Sequence, residues 1–81
     1  MDKKKVTVEI FGEVYALKGD MDAERVKRLA KIVDEQMRTL AKGSRSLPPT
    51  RLAVLAAMNM CDEYLKLQED YEALLKLLKS M

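Results

Sequence analysis

Few side chains in these 81 residues could do chemistry. There is no histidine, a single cysteine at Cys61, and two adjacent acidic pairs, Asp62-Glu63 and Glu69-Asp70. Without histidine the commonest general base and metal ligand is missing. Cys61 stands in an apolar stretch and is followed by two acids, which is not the electropositive setting a nucleophilic thiolate requires. Its expected role is that of a small packed hydrophobe. Neighbouring residues on a helix point to different faces, so each acidic pair reads as solvated charge rather than as metal ligands or an acid–base couple. The three glycines, Gly12, Gly19 and Gly43, stand far apart at turns and form no phosphate-cradling loop. The expectation is a chain without catalysis, cofactor or metal.

Binding is the chemistry that remains. Arg38, Lys42, Arg45 and Arg51 bracket the one real connector, residues 44–49, and make a candidate patch for an acidic partner, although a solvated loop would also account for them. The charge is unevenly spread. Residues 1–51 hold 12 basic and 8 acidic side chains, a net +4, while residues 52–81 hold 3 and 5, a net −2. A basic head on a mildly acidic stalk favours an acidic partner at the head.

The elements that must position these residues can be read in order. Val6, Val8 and Ile10 alternate with Thr7, Glu9 and Phe11, and Val14 to Lys18 resume strand chemistry after Gly12-Glu13. Two β-favouring runs around a glycine predict a hairpin turning at Gly12-Glu13, with the turn type left open. An isolated hairpin is marginal in water, so it must dock on a helix or pair with a second copy. Asp20 offers an N-cap, and Val26, Leu29, Ala30, Val33, Met37, Leu40 and Ala41 recur at three- and four-residue spacing up to Gly43. That predicts a first helix from about Met21 to Lys42. Leu47-Pro48-Pro49 blocks its continuation, with Ser46 a plausible cap for the next helix.

The last third dominates. From Ala53, steps of four and three give Ala53, Ala57, Met60, Tyr64, Leu67, Tyr71, Leu74, Leu78 and Met81, without one charged residue. This is a heptad seam, predicting a helix that packs along its length on another helix. At 1.5 Å per residue it is roughly 50 Å long, too long for its own small head to cover. Leaving Tyr64, Leu67, Tyr71, Leu74 and Leu78 wet would forfeit about 10 kcal/mol, the scale of a whole domain's stability. An oligomer is expected, joined through Ala57, Met60, Tyr64, Leu67, Tyr71, Leu74 and Leu78. A second stripe, Leu52, Leu55, Ala56 and Asn59, lies beside the seam and should meet the chain's own head. Asn59 then needs a hydrogen-bond partner in the neighbouring loop or first helix.

The fold class is therefore α+β: residues 1–51 form a head of hairpin and first helix, completed by the start of the second. Residues 52–81 form the dimerisation and coiled-coil stalk. The lone cysteine suits a reducing cytoplasm, no apolar run follows Lys3-Lys4-Lys5 as a signal peptide would, and Leu52–Met58 is too short to span a bilayer.

The layout resembles the ZapA family of bacterial cell-division proteins. The resemblance rests on Val6-Thr7-Val8-Glu9-Ile10-Phe11-Gly12-Glu13-Val14-Tyr15-Ala16-Leu17 and on Leu29-Ala30-Lys31-Ile32-Val33-Asp34-Glu35-Gln36-Met37. Its most specific stretch is Leu52-Ala53-Val54-Leu55-Ala56-Ala57-Met58-Asn59-Met60-Cys61-Asp62-Glu63-Tyr64, with Met58 where the family pattern has leucine. It implies a cytoplasmic, non-catalytic protein that binds FtsZ, the tubulin-like division GTPase, and cross-links its protofilaments in the Z ring at mid-cell. It implies a homodimer through head and coiled coil, and a homotetramer in many members. Two rivals stand beside it: a nucleic-acid-binding dimer of strand–helix–helix type, and a generic coiled-coil adaptor. Against the first, the head is only +4 and no aromatic or Arg-rich strand faces out.

Overall fold

The computed structural model describes residues 4–43 and 46–81. Strand β1 (Lys4–Ile10) and strand β2 (Glu13–Gly19) form an antiparallel two-stranded sheet. Helix α1 (Ala23–Gly43) and helix α2 (Pro49–Ser80) follow.

The hairpin register is Val6 opposite Leu17, Val8 opposite Tyr15 and Ile10 opposite Glu13. The turn is therefore Phe11-Gly12, one residue earlier than the sequence suggested. Phe11 has φ 50° and Gly12 φ 81°. Two consecutive left-handed residues make a type I′ turn, whose twist matches that of the flanking strands. Glycine adopts this conformation freely, whereas phenylalanine there costs about 1–2 kcal/mol. Helix α1 supplies the compensation. The Phe11 backbone N–H donates to Asp34 Oδ1 at 2.7 Å, and the half-buried ring packs on the cluster of Met37, Leu52 and Ala56. The Arg38 guanidinium sits 5.7 Å from the ring centroid, within cation–π range.

Helix α1 lies along the inner face of β1, with Val6 and Val8 buried on Ala30. It starts at Ala23, two residues later than expected, so Asp22 rather than Asp20 precedes its first turn. The Val26 N–H donates to the Asp22 carbonyl at 3.0 Å. Helix α2 begins on Pro48-Pro49 with no side-chain cap, so Ser46 does not take the expected role. The proline ring presets the helical φ, and its missing N–H is one that a first turn would leave unpaired anyway.

The buried core among the described residues is only Val6, Val8, Ala30, Met37, Leu52 and Ala56. Leu52 and Ala56 belong to the second stripe of α2, the one expected to meet the head. Leu55 and Asn59 of that stripe, and Cys61 beyond it, are exposed instead. Neither the buried amide nor the packed cysteine is realised within a single chain. The radius of gyration is 16.8 Å, against about 12 Å for a compact chain of this length. The molecule is a flat body of 50 × 43 × 14 Å because α2 runs on past its head.

Candidate oligomerisation and partner-binding surfaces

Every residue of α2 from Cys61 onward is exposed. The seam residues Ala57, Tyr64, Leu67, Tyr71, Leu74 and Leu78 form an apolar stripe that is exposed and uncovered among the described residues, and Met60 is half-buried at its start. Leu65, Leu75 and Leu77 widen it towards the C-terminal end. The opposite face is charged: Lys66 Nζ pairs with Asp62 Oδ2 at 3.1 Å, and that bond raises the Lys66 pKa. This is the solvated i,i+4 pairing expected on the polar face of an amphipathic helix.

The head carries an apolar surface that sequence periodicity did not single out. Tyr15 and Leu17 of β2 point to the same side of the sheet as Val8 and Val6, their cross-strand partners. Helix α1 packs on β1 and leaves β2 overhanging. The overhang roofs a trough with Met21 and Leu29 at one end, Leu17 and Val33 at its middle, and Tyr15, Met37, Pro49 and Ala53 at the other end. Ala53 is also the first residue of the heptad series, so trough and seam form one continuous apolar surface. The available signal was that β2 is apolar on both alternations, Val14 and Ala16 as well as Tyr15 and Leu17. The Tyr15 hydroxyl donates to Glu13 Oε2 at 3.0 Å, and this bond, with the charge behind it, raises the phenol's pKa.

The four candidate basic residues fare differently. Arg38 Nε donates to Asp34 Oδ2 at 2.9 Å and covers Phe11, so it already serves the hairpin tip. The Phe11 amide first, and Arg38 second, hold the Asp34 carboxyl below the usual carboxylate range. Lys42 in the last turn of α1 and Arg51 in the first turn of α2 are both exposed. Arg45 lies outside the described residues.

A family model described as "Cell division protein ZapA" matches residues 6–80. The chain belongs to the ZapA family. It is 41% identical over 73 residues to the cell division protein ZapA of Bacillus mycoides, covering 90% of this chain and 82% of that one. It is 38% identical over 74 residues to the ZapA of a Geobacillus species, covering 91% and 85%. Among solved structures, a ZapA mutant dimer from Geobacillus stearothermophilus superposes with a TM-score of 0.74 at 34% identity, covering 98% of this chain and 92% of that one. The hairpin followed by two helices is thus a ZapA fold, and no helix among the described residues is long and apolar enough to cross a membrane.

Proposed function

We propose that this chain is a non-catalytic cross-linker of the bacterial division machinery, which self-associates through α2 and binds FtsZ through its heads. The observation that carries the reading is the apolar stripe from Tyr64 to Leu78, left uncovered in a chain of the ZapA family. A second copy is the natural cover, because a heptad seam is self-complementary about a two-fold axis. The trough roofed by Tyr15 and Leu17 extends that interface into the head. The intermolecular coiled coil gives a rod with two identical heads, and pairing of the widened tails would give a tetramer.

A bivalent rod aligns filaments by effective concentration, so each head contact can be weak and reversible. Its place of action is the cytoplasmic Z ring at mid-cell. The head contact is made by the basic loop region of Arg38, Lys42, Arg45 and Arg51. Among its described residues Lys42 and Arg51 are exposed, and Arg38 contributes only the part of its charge that Asp34 leaves over. Each exposed charge is worth roughly 0.2–1 kcal/mol, so the set acts together.

Co-sedimentation with FtsZ polymers tests the reading. The wild-type chain should pellet with the polymers and bundle them, whereas replacing all four basic residues by alanine should weaken bundling and flatten its salt dependence at unchanged oligomeric state. Failure of the wild-type chain to pellet would reject FtsZ as partner. Undiminished bundling by the quadruple variant at low salt would reject the patch alone.

A further inference from the structure

A sheet of two strands has two open edges. Hydrogen bonding alternates from the closing pair Ile10–Glu13, so the N–H and C=O groups of Lys5, Thr7 and Glu9 point away from β2. All three residues are exposed. Helix α1 runs in the same direction as β1, since Val6 and Val8 pack near Ala30 while Phe11 reaches Asp34. Between this edge and α1 lies a groove, with Lys27 and Lys31 on the helix wall. It occupies the flank of α1 away from the apolar trough, so a second copy in the trough would leave it open. Among the described residues no helix flanks the β2 edge in this way.

We propose that the β1 edge accepts an extended acidic segment of a protein partner as a third strand. Residues two apart on a strand are separated by about 6.6 Å, and Lys27 and Lys31, four apart on α1, by about 6 Å. Acidic side chains at alternate positions therefore meet the two lysines in step, while the main chain pairs with Lys5, Thr7 and Glu9. Glu9 lies at the turn end of the groove, where Asp34 is already engaged by Phe11 and Arg38. An acid is disfavoured there, which sets the register of the added strand. Lys27 and Lys31 of two copies would face one another across an edge-to-edge pairing and repel.

Hydrogen exchange on the full-length chain tests this with a ten-residue peptide of alternating Asp and Val. Two further peptides of equal length serve as controls: alternating Lys and Val, and the Asp–Val peptide with its strand-pairing amides N-methylated. The Asp–Val peptide should slow exchange of the Thr7 and Glu9 amides, and neither control should. Lys27→Glu with Lys31→Glu, checked for native helix content, should weaken Asp–Val binding about tenfold. Equal binding of the N-methylated peptide would overturn strand addition, and unchanged binding by the double variant would overturn the lysine wall. Slow exchange of the same amides without peptide, rising with protein concentration, would assign the edge to a second copy and overturn the proposal.

Discussion

The pair Leu67→Lys and Leu74→Lys puts two charges per chain into the uncovered stripe of α2. In the single chain Tyr64, Leu67, Tyr71, Leu74 and Leu78 are 64%, 70%, 63%, 54% and 58% exposed. Full burial of such a side chain is worth about 1.5–3 kcal/mol, so covering these five yields roughly 5–9 kcal/mol per protomer, and twice that in a symmetric dimer. Association costs about 4–15 kcal/mol in lost freedom, so the seam alone suffices for a stable dimer over most of that range. The double substitution withdraws four leucines from the dimer, roughly 4–7 kcal/mol, and weakens it about 10³- to 10⁵-fold even if the lysine heads reach water. Sedimentation velocity over a dilution series should show a monomer where the wild-type chain is oligomeric. Circular dichroism should show lost helix, because the head alone buries so little. Lys66→Ala, on the charged face, should change neither. A double variant that sediments as the wild-type oligomer at every concentration would refute the seam and the energetics drawn from it.

Leu52→Ala, at a side chain only 2% exposed, should destabilise the fold by about 2–5 kcal/mol in urea titrations at fixed protein concentration. Gly12→Ala should cost about 1–2 kcal/mol in the same assay, although nothing lies within 4 Å of the added methyl, because φ 81° is strained for any residue with a Cβ. The Asp34 carboxyl has its pKa lowered by the Phe11 amide and Arg38. Its contribution is therefore fully present above the unfolded value and is lost as pH falls through the folded one. Asp34→Asn should lower the thermal midpoint at neutral pH and leave a shallower decline in acid; equal slopes for both proteins would place the acid sensitivity elsewhere.

Much of this fold was legible in the sequence because it rests on local rules. Alternation at Val6, Val8 and Ile10 and the three–four spacing from Val26 to Ala41 each name one element and one apolar face, and the structure keeps both, except that Leu29 is left exposed in the trough. The apolar stripe of α2 was legible for the same reason: a heptad series without charge needs no knowledge of the head. The turn was not, because Phe11 is a poor left-handed residue by propensity. Its conformation is held by Asp34, 23 positions away in the chain. The trough was only hinted at by the apolar residues on both alternations of β2, since Tyr15 and Leu17 by themselves look like ordinary inward strand residues. Only the placement of α1 under β1 leaves them roofing an empty groove. The candidate cation Arg38 shows the same division. Sequence set its charge and its place near the loop, but the hairpin's approach to α1 decided that its guanidinium would close over Phe11 and pair with Asp34. Periodicity fixes which face of an element is apolar, while docking between elements distant in sequence decides which of those faces is covered.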